Sequence, residues 1–369
     1  MKKLMFCFLT LLVFLSLSGC SKNTKTTSVT AKTQPVQAVA PAKTDTPVQT
    51  QTGSDAVDYT KGPKIVIKIG HVSQAGVPFD VACNKIGEDL DKVTNGRITV
   101  KVFPASSLGN NTELLEQVQA GTLQMTASSV AFFGTFTDST KLLDLPYLFK
   151  SNKAAEEVLD GEVGQKIFKD FETQDFHGLA WFSTGWRHLT ANKPIHSPAD
   201  MKGLKIRVME NQMHIDHFNA LGASAVPMAF SELYTALQNK TMDAEENPFA
   251  NINGNRLYEV QKYIIKTGHI YDTAPLVASS KWWKTLSKSD QDLIQQICTK
   301  ELSEERKLSY ANEAELEKKI GSNGTNVVIQ LSPEERDVFK KAAQPVYDKY
   351  APQIGKDLID MVEKINAKY

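Results

Sequence analysis

From residue 64 onward, short apolar runs alternate with segments of helical period, and this alternation narrows the fold more than any other property of the chain. Lys64-Ile-Val-Ile-Lys-Ile69 has strand composition and runs into Gly70-His71. Asp80 to Val93 carries apolar residues at helical spacing, and Asn95-Gly96 turns the chain. Arg97 to Phe103 reads as a second strand stopped by Pro104, Thr112 to Ala120 as a helix stopped by Gly121, and Leu123 to Ser128 as a third strand. A helix repeats every 3.6 residues and a strand every two, so each segment fits only one of them. The order β-α-β-α-β predicts an α/β domain with a mostly parallel sheet.

The pattern then recurs. Residues 151–175 read as two helical pieces broken near Asp160-Gly161, followed by a strand from Gly178 to Ser183. A strand over Leu204–Val208, helices over Gln212–Leu221 and Phe230–Gln238, and a strand over Met242–Glu245 repeat the alternation. Tyr263–Gly268 and Ala274–Ser279 read as two further strands. From Ser289 to about Ile320 the chain is helical and strongly charged, with Leu293, Ile297, Leu302 and Leu308 as an apolar stripe. That stripe is too irregular for coiled-coil heptads, so a long helix lying across the body is expected. A short strand over Asn326–Gln330 and helices from Pro333 to about Tyr350 and from about Gly355 to Lys368 close the chain. The expected fold is therefore α/β with two lobes joined by crossing strands. The lobes enclose a cleft, and ligands of open α/β sheets bind outside the carboxyl ends of strands.

The first twenty residues lie outside that pattern. Lys2 and Lys3 precede a nearly unbroken apolar run of about 12 residues, Leu4 to Leu15, which Leu17-Ser18-Gly19-Cys20 closes. The run is too short to span a bilayer core of about 30 Å, and it reads as an export signal over residues 1–19. Its ending resembles a bacterial lipoprotein signal. That resemblance implies cleavage before Cys20, a diacylglycerol on its sulfur, and a protein held at the outer face of a membrane, in a periplasm or on a cell surface. An ordinary signal cut nearby, or an uncleaved anchor, is the alternative. Residues 20–62 are dominated by Thr, Gln, Ala, Pro, Ser and Lys, without an aromatic before Tyr59. Such a segment cannot bury enough apolar surface to offset its ordering entropy. It reads as a disordered tether with a mean span of about 35 Å.

Composition excludes several functions. Forty-two Lys+Arg balance forty-two Asp+Glu, which argues against a nucleic-acid partner and against long-range steering of a charged one. Charge selectivity must come from a local site. Cys83 and Cys298 are the only cysteines in the folded part. Their apolar neighbours favour two buried free thiols, although an exported protein could pair them, and neither belongs to a metal-type Cys-x-x-Cys motif. No nucleotide-loop, nucleophile-elbow or zincin motif occurs. His214 and His217 lie three apart on a helix, but no third metal ligand accompanies them, so a solvated helix face is expected. Glu245 and Glu246 are neighbours on a strand and point to opposite faces, so they do not form an acid/base dyad. No enzyme, metal or cofactor is expected.

What remains is a set of anion-suited residues at strand ends. Arg187 follows Gly185-Trp186 where the chain should pass between lobes. Arg207 lies in Leu204-Lys-Ile-Arg-Val208, on the strand face opposite Leu204, Ile206 and Val208. A guanidinium presents two parallel donors at fixed charge, a geometry that matches a carboxylate. Asn247 precedes Pro248, where its amide could cap a helix or meet a ligand.

These residues sit inside a longer likeness. Gly185-Trp-Arg-His-Leu-Thr-Ala-Asn-Lys-Pro-Ile, Ser197-Pro-Ala-Asp-Met-Lys-Gly-Leu-Lys-Ile-Arg-Val208, Val226-Pro-Met-Ala-Phe-Ser-Glu-Leu-Tyr-Thr-Ala-Leu-Gln238, Glu246-Asn-Pro248 and Tyr258-Glu-Val-Gln-Lys-Tyr263 resemble the DctP family. These are the solute-binding proteins of tripartite ATP-independent periplasmic (TRAP) transporters. Phe103-Pro-Ala-Ser-Ser-Leu-Gly109 and Asp144-Leu-Pro-Tyr147 match more loosely, and the likeness spans about residues 64–350. It implies two lobes, residues 63–184 with about 272–312 and residues 185–271 with about 313–369, which close on an organic acid. It implies that Arg207 grips the carboxylate while Arg187 and Asn247 line the same cleft. The expected partners are the small and large membrane subunits of a permease driven by an ion gradient, typically sodium. A monomer is expected, with C4-dicarboxylates ahead of sugar acids as ligands. A lipid-anchored surface enzyme and a binding protein of an ATP-driven importer are the alternatives.

The chain departs from the family in places. Ala244 replaces a frequent Gly and Gln212 a frequent Pro, and Gln212 is placed where it could touch ligand. Ala127-Ser-Ser-Val130 lacks the acid found in sialic-acid binders. Ser128 or Ser129 offers a hydroxyl there. His71, Trp186 and Phe230 complete the expected lining.

Overall fold

The structure, a computed structural model, describes residues 57–369. The expected export signal, Cys20 and nearly all of the expected tether fall outside the described residues. Among the described residues one mixed sheet of nine strands runs in the order β2 (Ile98–Phe103), β1 (Ile65–Gly70), β3 (Met125–Ala127), β8 (Tyr263–Ser279), β4 (Phe176–Ala191), β7 (Ala244–Asn247), β5 (Lys205–Val208), β6 (Ser224–Pro227), with β9 (Val327–Gln330) beside β8. In the first lobe, β1 (Ile65–Gly70) pairs in parallel with β2 (Ile98–Phe103) and β3 (Met125–Ala127). Helices α1 (Pro78–Thr94) and α2 (Asn111–Ala120) make the crossovers. α2 begins with a capping box, in which Asn110 and Glu113 satisfy each other's backbone N–H. Helices α3 (Asn152–Asp160) and α4 (Glu162–Glu172) follow and meet at Gly161, as the spacing predicts.

Two long strands join the lobes. β4 (Phe176–Ala191) crosses from the first lobe into the second, where β5 (Lys205–Val208), α5 (Gln212–Ala220), β6 (Ser224–Pro227), α6 (Leu233–Gln238), β7 (Ala244–Asn247) and α7 (Phe249–Gly254) follow. β8 (Tyr263–Ser279) returns antiparallel along β4. After the short helix α8 (Ser280–Trp283), helix α9 (Lys288–Gly321) spans 34 residues along both lobes. It packs Leu293, Ile294 and Ile297 with α1 and contributes Leu316 and Ile320 to the core under α6 and α7. Strand β9 (Val327–Gln330) and helices α10 (Pro333–Ala342), α11 (Gln344–Ile354) and α12 (Lys356–Asn366) close the chain. α11 and α12 bring Val346, Tyr350, Leu358 and Val362 into the core that contains Val158 and Leu159 of α3.

The expectation of a mostly parallel sheet is corrected at its centre, where β3–β8, β4–β8 and β4–β7 are antiparallel. Tyr263–Gly268 and Ala274–Ser279 are not two strands but the ends of β8. Its middle carries His269, Asp272 and Thr273, polar yet fully buried between the lobes, and they interrupt the apolar run. The same cause hid the second half of β4, where Arg187 and His188 lie beyond a register shift between Ser183 and Gly185. Gly185 takes a φ of 100° there, a left-handed geometry that glycine adopts without strain. The helix expected from Pro333 to Tyr350 is two, because Pro345 in the first turn of α11 supplies no N–H to continue α10. His214 and His217 do not face solvent. Each is 1% exposed, in the packed side of α5. Cys83 and Cys298 are both buried and free.

Candidate ligand-binding site

The strand β5 alternates in its surroundings. Ile206 and Val208 pack into the second lobe's core with Phe218 and Leu331. Arg207 therefore points to the other face, into a cavity between the lobes. Its guanidinium is 1% exposed. Nε and Nη2 donate to the Met228 carbonyl at 2.9 and 2.7 Å, and Phe230 lies under the group at 5.7 Å. Nη1 has no hydrogen-bond partner, and Arg207 forms no ion pair among the described residues. Burial pushes its pKa down to about 10, which leaves it charged at neutral pH. A buried cation without a counterion is costly, and the cavity is where an anion would meet it.

Arg187 is equally buried but fully engaged. Nε and Nη2 donate to the Glu246 carboxylate at 2.5 and 2.8 Å, and Nη2 also reaches the Glu246 carbonyl at 2.7 Å. Nη1 donates to Asp272 Oδ2 at 2.8 Å. Burial alone would raise the Glu246 pKa, but the Arg187 charge and a contact from His269 at 3.1 Å hold it well below the usual range. Behind this pair, His214 lies 3.2 Å from Asp144 and 3.9 Å from Glu246. Asn247 ends β7 on the cavity wall. Its Nδ2 donates to Glu245 at 2.6 Å and its Oδ1 accepts from Asn251 at 3.3 Å. Pro248, not Asn247, precedes the first turn of α7, so the amide does not cap that helix. Burial pushes Glu245 up to about 7 against the bonds from Asn247 and Thr190.

Six of the nine expected residues line this one cavity: Arg207, Arg187, Asn247, Phe230, Ser128 and Ser129. Ser129 donates to Asp272 Oδ1 at 2.7 Å, and Ser128 lies 3.2 Å from Thr126. Three others stand apart. Trp186 precedes Arg187 on β4 and so takes the opposite face, where its Nε1 donates to Asn152 at 2.6 Å. Gln212 reaches along α5 to Asp216, one turn on, at 3.0 Å. His71 is held by Asp80 at 3.0 Å against the edge of Phe79. The sequence reading missed Asn111, Thr184 and Asp272, which also line the cavity. Asn111 follows a helix cap and Thr184 precedes the Gly185 bulge, positions without a distinctive local signal. Asp272 was hidden by the division of β8 into two strands.

The DctP family model, described as bacterial extracellular solute-binding protein, family 7, matches residues 69–353. The chain is 33% identical over 306 residues to the C4-dicarboxylate-binding periplasmic protein DctP of Vibrio cholerae, covering 83% of this chain and 92% of the relative. Among solved structures, it resembles a TRAP periplasmic solute-binding protein from Shewanella oneidensis with bound succinate. The TM-score is 0.80 at 30% identity, over 82% of this chain and 99% of the other. It also resembles the sugar acid binding protein DctPAm from Advenella mimigardefordensis in complex with galactonate, with a TM-score of 0.80 at 31% identity over 83% and 99% of the two chains. Among the described residues no helix is long and apolar enough to cross a membrane.

Proposed function

The chain belongs to family 7 of the bacterial extracellular solute-binding proteins, DctP, and we propose that it captures an organic acid by seating a carboxylate on the guanidinium of Arg207. The observation that carries this reading is a buried arginine whose Nη1 faces a cavity without a hydrogen-bond partner, and which makes no ion pair among the described residues. Each charge-assisted hydrogen bond contributes roughly 1.5–3 kcal/mol, against about 8 kcal/mol for micromolar affinity. Two such bonds, with Asn247 and Ser128 on the ligand's remainder, supply a large share. Arg187 has the complementary duty. Neutralised by Glu246 and Asp272, it fixes β7 and β8 so that the wall keeps its shape. β4 and β8 pass through both lobes, and bending within them would let the cleft open and close around the acid.

The loaded protein would dock on the small and large membrane subunits of a TRAP permease. The export signal and Cys20 support tethering of the mature chain to the membrane's outer face by a lipid, with the segment up to residue 62 as the leash. The test is a thermal-shift screen of organic acids on the wild type and on Arg207→Gln. An acid that stabilises the wild type and leaves the variant unmoved supports the reading. An equal shift in both overturns it.

A further inference from the structure

We propose that the cavity selects an acid with one carboxylate and a hydroxylated remainder, an aldonate or uronate in chemical class, over a dicarboxylate, and that Asp272 enforces the choice. The inference rests on the reading of Arg207 as carboxylate anchor and goes beyond it to the other end of the ligand.

Three buried polar atoms on the cavity wall have no partner among the described residues: Arg207 Nη1, Asn111 Oδ1 and Thr184 Oγ1. Their demands differ. Nη1 can only donate, so it needs a carboxylate or another acceptor. Asn111 Oδ1 can only accept, so it needs an O–H or N–H from the ligand. The Thr184 hydroxyl does either. A succinate dianion carries acceptors alone and leaves Asn111 Oδ1 unmatched, whereas a polyhydroxy acid offers donors along its chain. A buried acceptor left unpaired weighs against the ligand that leaves it so.

Charge points the same way. The charged side chains on the wall, among the described residues, are Arg187, Arg207 and Asp272. Arg187 gives Nε and Nη2 to Glu246 and Nη1 to Asp272. Asp272 in turn accepts from Ser129 through its other oxygen. One ligand carboxylate completes Arg207. A second would find no uncommitted cation and would share a desolvated space with Asp272, where like charges repel strongly.

Titration calorimetry tests this with galactonate and galacturonate, succinate, butyrate (a carboxylate without hydroxyls) and galactitol (hydroxyls without a carboxylate). At least one hydroxylated monocarboxylate should bind tenfold or more tighter than succinate and than butyrate, and galactitol should not bind. Succinate binding as tightly as every sugar acid overturns the inference and leaves the Arg207 anchor standing. Galactitol matching the sugar acids, or no acid binding, overturns the anchor and the inference together. Asp272→Asn should raise the succinate-to-galactonate affinity ratio about tenfold, and an unchanged ratio in a variant of normal melting behaviour removes Asp272 from the selection. Asn111→Leu provides a second readout. It should weaken galactonate about tenfold while leaving butyrate unmoved, and equal losses on both would refute the hydroxyl contact.

Discussion

Two arginines of equal burial do different work because of what stands beside them. Arg187 sits between Glu246 and Asp272, and its charge is spent inside the protein. Arg207 has a carbonyl and an aromatic face for company, and its Nη1 has no partner among the described residues, as the proposed carboxylate anchor requires. The contrast gives two predictions. Arg207→Lys keeps the charge but loses the planar fork, so one of two charge-assisted bonds goes with it. Affinity for the preferred acid should fall by about 1.5–3 kcal/mol, roughly ten- to a hundredfold, by calorimetry. Unchanged affinity would refute the clamp. Glu246→Gln leaves Arg187 buried with half its counter-charge. Breaking a buried pair costs about 3–5 kcal/mol, and urea denaturation should read a loss of that size. A loss below about 1 kcal/mol would show that Asp272 and the backbone hold Arg187 without Glu246.

At the scale of elements, α9 carries a buried acid against β4. Glu305 is 2% exposed and accepts the Ser183 N–H at 2.9 Å. Burial pushes its pKa up to about 8, against that bond and the nearby Arg306. An acid with a raised folded pKa holds its proton longer in the native state than in the unfolded chain. Its stabilisation is complete below the unfolded value and is lost as pH climbs toward the folded one. Glu245, pushed up to about 7, acts in the same direction. Burial depresses His188, His217 and His269, the last to about 4, and these act in the opposite sense below their ordinary value of 6.5. Between pH 7 and 8 Glu305 therefore dominates. Unfolding free energy should fall by on the order of 1 kcal/mol over that unit, and Glu305→Gln should flatten the decline. A wild-type curve that is flat there would show that Glu305 is already ionised.

For the whole molecule, β4 and β8 are the only strands among the described residues that run through both lobes, so any motion of the lobes would strain or bend them. Ligand that binds only the closed native form stabilises it by about 2.7 kcal/mol at a hundredfold excess over Kd. With unfolding entropy of about 2.1 cal/mol/K per residue over roughly 310 folded residues, that is a rise in Tm of about 4 °C, to be read by calorimetry. Absence of a shift under saturating acid would contradict coupling between binding and the folded state. Tethering has its own test. The wild type should incorporate labelled fatty acid and Cys20→Ser should not, and equal labelling of the two, or none in the wild type, would exclude a lipid on that sulfur. Local pattern carried far into this structure. The crossovers of the first lobe, the break at Gly161, the long α9 and the Lys-Ile-Arg-Val strand that presents Arg207 all follow from periodicity, caps and turn residues, which act over a few positions. The middle of β8 did not follow, because buried polar residues imitate a loop when only neighbours along the chain are considered. Nor did the division of labour between the arginines. Glu246 and Asp272 lie 59 and 85 positions from Arg187. An ion pair depends on distance in space, and a guanidinium is free or bound only once the strands that carry its partners have met.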